Sequence, residues 1–292
     1  MNDRKQHVIK MAHQLFIDKG FQATSIQDIL EYSGISKGTF YNYFASKNEL
    51  LIAIFTSSYA ELQKMRDEIL LGQDPSNIET FIRQIEIQLK TNRKKKLITL
   101  FEEVLFSNND ELKTFFQQGQ IRNIRWLYQR FVDIFGENKK PYLLDCAIMF
   151  MGMLRENIKF YQLAHSPSIN ISQIVRFTVN RLVHMVEEAA ESDSQLIDPQ
   201  VLEEWLPDCG KPGQATRKKL QQQLLLLKNC LYQQEEHRKY IELVDVIEEE
   251  IESKNPRVLL IESILHSLQM IGQKEIQQLE QLVTIYISQL TN

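Results

Sequence analysis

The N-terminal part of this chain is organised around one short stretch, Ser36-Lys37-Gly38-Thr39-Phe40-Tyr41-Asn42-Tyr43-Phe44. It follows a turn signal, Ser33-Gly34-Ile35, and it is too short for a core helix and too aromatic for a loop. Ser36 suits the N-cap of a helix, because its hydroxyl can accept a backbone N–H of the first turn. The stretch therefore predicts a short helix with one buried and one exposed face.

Two further helices are predicted before this stretch. Residues 3–19 carry apolar side chains at helical spacing, and Gly20 is suited to end that helix. Ser25-Ile26-Gln27-Asp28 resembles a capping box, so a second helix is predicted from there to about Ser33. The second and third helices are then joined by about three residues that include Gly34, which is the pattern of a helix-turn-helix.

Composition and charge describe an ordinary globular chain. Its 292 residues are 43% hydrophobic and 25% charged, which suffices for one or two packed domains. The net charge of −4 means that any nucleic-acid contact must come from a local patch. The spacing of the three cysteines, Cys146, Cys209 and Cys230, argues against a disulfide framework, which fits a reducing compartment. The longest apolar run, residues 146–154, is about half of the roughly 20 residues that span a bilayer. We expect a cytoplasmic protein without a signal peptide or membrane segment.

Helical periodicity continues to the end of the chain, and no alternating strand pattern of useful length occurs, so an all-α fold is predicted. Six histidines form no metal-ligand pattern, and nucleophile-elbow, P-loop and Cys-x-x-Cys motifs are absent from the sequence. We therefore predict no enzyme activity, no metal and no cofactor.

The first 55 residues resemble the DNA-binding domain of the tetracycline-repressor (TetR) family of bacterial transcription regulators. The resemblance rests on the motif Gly38-Thr39-Phe40-Tyr41-x-Tyr43-Phe44-x-Ser46-Lys47-x-x-Leu50, with Tyr43 where many members carry His. It implies a homodimer, most often a repressor, that binds a pseudo-palindromic double-stranded DNA operator and is released by a small-molecule effector. A helical scaffold or adaptor, whose C-terminal bundle binds a protein partner, is the alternative.

Three regions are predicted from this resemblance and from the breaks in helical periodicity. Residues 1–55 form a three-helix helix-turn-helix DNA-binding domain, and residues 56–191 form a helical ligand-binding and dimerisation domain. Residues 192–292 form an additional C-terminal helical bundle, about which the resemblance implies nothing. This bundle is interpreted either as an extension of the dimer or cover of the pocket, or as a protein-interaction module.

Contacts to DNA are predicted at helix starts and on the third helix. Helix N-termini offer unpaired N–H groups and a positive dipole end to phosphates. An Asn side chain can bond adenine at two atoms, and a Thr methyl suits the thymine methyl. The resemblance implies phosphate contacts for Tyr41 and Lys47, with Phe40 and Phe44 directed inward. The predicted DNA-binding residues are Thr24, Ser25, Ser36, Lys37, Gly38, Thr39, Tyr41, Asn42, Tyr43 and Lys47.

An effector cavity is implied between residue 72 and about residue 160. Met and aromatic side chains can line adaptable pockets, although the same residues also suit an ordinary core. Glu102 or Glu103 could pair with a cationic ligand, with Arg122 or Arg125, or form a solvated edge. The predicted effector is apolar or cationic, and the predicted effector residues are Glu102, Glu103, Phe106, Trp126, Met149 and Met153.

Overall fold

The computed structural model describes residues 3–105, 109–165, 169–206, 214–253, 256–271 and 274–290. Within these ranges the chain is helical and contains no strand, so the all-α prediction is confirmed. The α-helices are α1 (Asp3–Lys19), α2 (Ile26–Ser33), α3 (Lys37–Tyr43), α4 (Lys47–Leu70), α5 (Ile78–Lys94), α6 (Leu97–Leu105), α7 (Asp110–Phe135), α8 (Leu143–His165), α9 (Ile171–Glu191), α10 (Val201–Trp205), α11 (Gln214–Gln233), α12 (Ile241–Glu252), α13 (Val258–Gln269) and α14 (Lys274–Leu290).

The helices belong to two compact units. Unit 1 comprises Met1–Arg66 and Phe81–Asp198, and unit 2 comprises Asp67–Thr80 and Pro199–Asn292. Helices α4 and α5 therefore each have residues in both units. The three functional regions with boundaries after residues 55 and 191 stay a prediction.

The N-terminal module, which we define as α1–α3 with the first turns of α4, does not close its own core. The buried cluster that contains Phe16, Phe40 and Phe44 continues into α6 and α7 through Leu97 and Phe116. A module of this length buries little apolar surface alone, so added apolar neighbours stabilise it. The module is thus built into unit 1.

The remainder of unit 1 packs around an aromatic cluster. Phe131 and Phe150 have ring centroids 5.7 Å apart in an edge-to-face arrangement, and Phe81 lies 5.5 Å from Phe131. Such aromatic pairs add to the stabilisation that area burial provides. The cluster joins α5, α7 and α8, and α9 packs alongside α8.

Unit 2 is centred on a leucine stripe of α11. Leu220, Leu224, Leu227 and Leu231 are all fully buried, and they recur at helical spacing on one face. The same cluster contains buried residues of α12, α13 and α14. The leucines that the sequence spaces like heptad positions therefore form the core of a helical bundle within the chain.

The described part of the structure also bears on membrane spans, thiols and metal ligands. None of its helices has the length and apolar character that crossing a membrane requires. Cys146 and Cys230 are free thiols, and burial raises the pKa of Cys146 to about 11. Cys209 lies outside the described residues. No group of three or more His, Cys, Asp or Glu side chains in the described ranges is arranged to hold a metal ion.

Replacing one leucine of the α11 stripe should destabilise unit 2. We expect Leu224→Ala to lower the free energy of unfolding by about 2–5 kcal/mol, because it leaves a cavity in a fully buried site. Leu226→Ala, on the same helix at a position that is 51% exposed, is the matched control and should change it by at most about 0.5 kcal/mol. Denaturant unfolding of the full chain measures both, and equal effects would contradict the assignment of the stripe to the core.

Candidate nucleic-acid interface

Local capping fixes the two helices of the helix-turn-helix. The Ser25 hydroxyl accepts the amide of Asp28 at 3.1 Å, and the Asp28 carboxylate accepts the Ser25 amide at 2.7 Å. This pair is the predicted capping box. Gly34 then turns the chain with a positive φ of 67°, which glycine adopts without strain. Ser36 starts α3 by accepting the amide of Thr39 at 3.1 Å.

Helix α3 presents two different faces. Phe40 and Phe44 are at most 1% exposed and lie in the core, as the sequence predicts. On the other side Lys37, Gly38 and Asn42 are exposed, and Tyr41 is 47% exposed. The Tyr41 ring lies edge-on to the Phe40 ring, with their centroids 5.3 Å apart. The buried Phe40 therefore restrains the Tyr41 side chain, which is still exposed at the surface. This exposed face is available to a partner.

Two predicted contact residues of α3 are only partly exposed. The Thr39 and Ser36 hydroxyls lie 2.9 Å apart and share a hydrogen bond, which restrains both side chains at the start of the helix. Tyr43 lies against Phe44, with ring centroids 6.2 Å apart. Ser25, at the start of α2, is exposed. The hydroxyls of Ser25 and Ser36 therefore cap their own helices as well as facing the surface.

The structure corrects the role predicted for the Thr24 hydroxyl. Thr24 is only 1% exposed, and its Oγ1 donates to the carbonyl oxygen of Gly20 at 2.6 Å. A hydroxyl in that position is not offered to a phosphate. Thr24 instead closes the α1–α2 turn (residues 20–25), where the sequence alone could not show which way its side chain points.

Lys47 has internal partners at the start of α4. Its Nζ donates to the carbonyl oxygens of Phe21 at 2.8 Å and Thr24 at 2.7 Å. The same ammonium lies 4.5 Å from the centroid of the Phe21 ring, and burial lowers its pKa. Lys47 thus ties α4 to the α1–α2 turn, and its contact with a DNA phosphate stays a prediction.

Glu103 is a positioning residue that the sequence did not reveal. Its Oε2 accepts the amide of Phe21 at 2.7 Å, so α6 also contacts the α1–α2 turn. Its predicted contact with an effector stays a prediction. The residues Glu103 and Phe21 are 82 apart in sequence, and no local pattern connects them. His13 provides a second link of this kind, since its Nε2 lies 2.9 Å from the Lys95 carbonyl oxygen.

Charge in the N-terminal module is nearly balanced. Residues 3–49 contain six Lys or Arg and five Asp or Glu residues, a net charge of +1. One acid is neutralised internally, because Lys19 lies 2.7 Å from the Asp28 carboxylate. The hydrogen bonds from Lys19 and Ser25 hold the pKa of Asp28 well below its usual range, so this carboxylate stays ionised. A single module therefore offers little net attraction to phosphates.

The predicted effector residues do not share one environment. Trp126 is stacked against Phe81, and the Arg66 guanidinium lies 3.5 Å from its ring centroid. Met149 is 44% exposed, and Met153 is half-buried on the same helix. Phe106 and the Glu102 side chain lie outside the described residues.

Two surface clefts are candidates for the effector, and neither is lined by a predicted effector residue. The larger, of about 580 Å³, has Lys90, Tyr161 and Ser172 in its wall. The smaller, of about 270 Å³, lies between α13 and α14. The effector site therefore stays a prediction.

Comparison with known proteins extends this assignment. The family model described as "Bacterial regulatory proteins, tetR family" matches residues 8–54. The HTH-type transcriptional regulator YerO of Bacillus subtilis is 28% identical over 288 residues, covering 97% of this chain and 96% of its own length. YuxN of the same organism is 24% identical over 294 residues, covering 92% of each chain. No solved structure matches.

Shorter matches concern the N-terminal region. The HTH-type transcriptional repressor NemR of Escherichia coli is 29% identical over 69 residues, which is 24% of this chain and 35% of NemR. The two long matches, by contrast, extend over most of the C-terminal region as well. The motif match, the helix-turn-helix geometry and these relatives agree: residues 8–54 match the tetR-family domain, and over nearly its whole length the chain is similar to HTH-type transcriptional regulators.

Proposed function

We propose that the protein is a cytoplasmic, homodimeric repressor that binds a pseudo-palindromic DNA operator through α3 and is released by a small molecule. The division of α3 carries this proposal, because buried Phe40 and Phe44 fix the helix while Lys37, Tyr41 and Asn42 remain exposed. Lys37 can contact phosphate or guanine, and Asn42 can read adenine. The relative NemR is named a repressor, which favours repression over activation.

Exposed apolar side chains on α8 and α9 support the homodimer. Met149, Phe160 and Phe177 are 44%, 59% and 54% exposed, and Met149 and Phe160 lie on one face of α8. Exposed apolar patches of this kind mark interaction surfaces. Pairing with the same hairpin of a second copy would bury them in a four-helix interface. Met149 and Met153 are then better explained by subunit contact than by effector binding.

The charge balance also supports a second copy. With a net charge of +1, one N-terminal module neutralises few phosphates, and phosphate contacts dominate affinity for DNA. A dimer offers two α3 helices to half-sites about one helical turn apart, so the weak contributions combine.

The surroundings of Trp126 refine the proposed effector. Arg66 and Arg130 are 5% and 4% exposed, and Arg130 Nε donates to Gln84 Oε1 at 3.0 Å. Arg130 pairs with Asp133 at 2.8 Å, and the Arg66 guanidinium lies over the Trp126 ring at 3.5 Å, so a cationic ligand would have to compete with Arg66 for that ring. We therefore favour an apolar effector with acceptor atoms, bound near Trp126, over a cationic one.

Tyr41 offers the most direct test of the DNA interface. Genomic fragments that the full chain retains in a gel-shift selection at low salt supply the operator. We expect Tyr41→Ala to abolish operator binding, while the free energy of unfolding falls by at most about 1.5 kcal/mol, since only one aromatic pair is lost. Tyr32→Ala, on α2 at 49% exposure, is the matched control and should bind like the wild type. If the wild type retains no specific fragment, the proposed operator binding is wrong and the interpretation as a helical adaptor is favoured.

Substitution of the two lysines of the interface should affect DNA binding in both cases, but protein stability in only one. Lys37→Ala should weaken operator binding and reduce the slope of log affinity against log salt by about 1, with stability unchanged, because Lys37 is exposed. Lys47→Met should also lower the melting temperature, because it removes hydrogen bonds to the α1–α2 turn. Salt titrations of binding and thermal denaturation measure both effects. An unchanged melting temperature of Lys47→Met would contradict the internal role of Lys47.

Effector release can be tested with a library of uncharged apolar compounds. Binders are identified by a rise in melting temperature, since a ligand that binds the folded state stabilises it. We expect at least one of them to weaken operator binding in the gel shift. Trp126→Ala should reduce that response without changing operator affinity in the absence of compound. Compounds that stabilise the protein and never release DNA would contradict the induction mechanism.

A further inference from the structure

A basic run, Arg93-Lys94-Lys95-Lys96, lies where α5 ends and α6 begins, within unit 1. Lys95 is partly buried, and its Nζ lies 2.5 Å from Oε2 of Glu61, so its charge is compensated. Arg93, Lys94 and Lys96 are exposed, and among the described residues their side chains have no ion-pair or hydrogen-bond partner. We define these three residues as the basic patch. The patch places three uncompensated positive charges on the surface of unit 1.

The basic patch is fixed beside α1 of the N-terminal module. The Lys95 carbonyl oxygen lies 2.9 Å from Nε2 of His13, which is on α1. Leu97, directly after the run, is 5% exposed and belongs to the buried cluster that contains Phe16. Lys10 is also exposed and lies three residues before His13, a spacing that places two residues on one helix face. A hydrogen bond and apolar packing therefore hold the patch next to a further cation of the module.

The backbone of Lys96 is left-handed, with a φ of 47°. A side chain with a Cβ rarely adopts this conformation, which glycine adopts without strain. The Lys96 carbonyl oxygen accepts the Leu100 amide at 3.3 Å, so the strained residue starts α6. Strained backbone positions cluster at functional sites. A lysine at this position points to a use for its exposed ammonium group, because the turn itself would be easier to form with glycine.

The distance from the basic patch to the end of α3 follows from α1. Lys5 precedes His13 by eight residues, which is about 12 Å along the helix. Its Nζ lies 5.0 Å from the centroid of the Phe44 ring, and Phe44 directly follows α3. This separation is well below the roughly 34 Å of one turn of duplex. Attraction between charges extends over about 10 Å at 0.1 M salt and about 30 Å at 0.01 M. The patch is therefore close enough to attract DNA that contacts α3.

We propose that the basic patch is a second, sequence-independent contact for double-stranded DNA, and that it binds backbone phosphates beside the segment that α3 reads. This rests on the proposed operator binding. Residues 3–49 carry a net charge of only +1, so the patch supplies attraction that the module lacks. Phosphate contacts release counterions and carry no sequence information. The patch retains the protein on DNA of any sequence, while α3 distinguishes the operator.

The test compares an operator fragment from the gel-shift selection with a random-sequence duplex of equal length. Affinity for each is measured by fluorescence anisotropy between about 50 and 200 mM salt, a range over which phosphate contacts weaken strongly. The patch variant is the full chain with Arg93→Gln, Lys94→Gln and Lys96→Gln.

Lys140→Gln is the control for a change of charge elsewhere on unit 1. The Lys140 side chain is 49% exposed, and it lies beyond the C-terminal end of α7. Helix α7 packs in the cluster of the N-terminal module near its other end, at Leu112, and its 26 residues are about 39 Å long. Lys140→Gln should bind both duplexes like the wild type.

The patch variant should bind both duplexes more weakly by the same factor, about tenfold at the lowest salt. The slope of log affinity against log salt should fall by about 2–3, because each phosphate contact contributes about 0.9. The ratio of operator to random-sequence affinity should stay the same. Tyr41→Ala should do the opposite, since it should lose the preference for the operator and keep the binding to random sequence.

Lys96 separates the effect of charge from the effect of folding. Lys96→Gly removes the cation and suits the left-handed φ, so it should reduce the salt slope for both duplexes by about 1 without lowering the melting temperature. Lys96→Arg keeps the cation and should bind like the wild type. Weaker binding by a protein that is no less stable cannot be due to a damaged fold.

A run that only ends α5 would give a different result, since cations in the last turn also stabilise a helix. The proposal is overturned if the patch variant melts at a lower temperature but keeps the wild-type salt slopes. It is also overturned if only operator binding is lost, because that would indicate base readout. A wild type that prefers no fragment would instead overturn the proposed function. The random-sequence measurement needs no operator, so it decides the role of the patch in that case as well.

Discussion

The α1–α2 turn is the constraint on which the N-terminal module depends. Its backbone would leave polar groups of Phe21 and Thr24 without helical partners, and buried backbone groups must be hydrogen-bonded. The Lys47 ammonium satisfies two carbonyl oxygens, and the Glu103 carboxylate satisfies one amide. Two distant helices, α4 and α6, thereby hold the turn that precedes α2 in place, and with it the position of α3.

This arrangement connects DNA binding to the rest of unit 1. The apolar core of the module continues into α6 and α7, so a shift of either helix disturbs packing around Phe40 and Phe44. Close-packed interiors transmit such strain because they contain few voids. The Glu103 hydrogen bond adds a directional contact to this packing. A change near Trp126 therefore has a physical route to the helix that we propose reads DNA.

The low positive charge of the N-terminal module explains why DNA binding depends on the position of α3. The chain carries a net charge of −4, and residues 3–49 carry only +1. Long-range attraction to DNA is weak under these conditions. In the dimer that we propose, binding would then rely on helix ends, on a few side chains of α3 and on the spacing between the two copies.

The sequence by itself determined the features that depend on neighbours within about four residues. The Ser25–Asp28 capping box, the left-handed turn at Gly34, the Ser36 cap and the two faces of α3 were all predicted. Such features need only local hydrogen bonds and helical periodicity, which residue order specifies directly.

Only the tertiary structure decided the contacts between residues far apart in the chain. The Thr24 side chain is buried, and the Glu103 carboxylate accepts a hydrogen bond from the Phe21 amide, 82 positions away in the chain. Gly72 met Asn229 across 157 positions. The side chain that a residue meets at such separations depends on how whole helices pack. Residue order therefore specifies the capping and the two faces of α3, but not the distant groups that hold this helix in place.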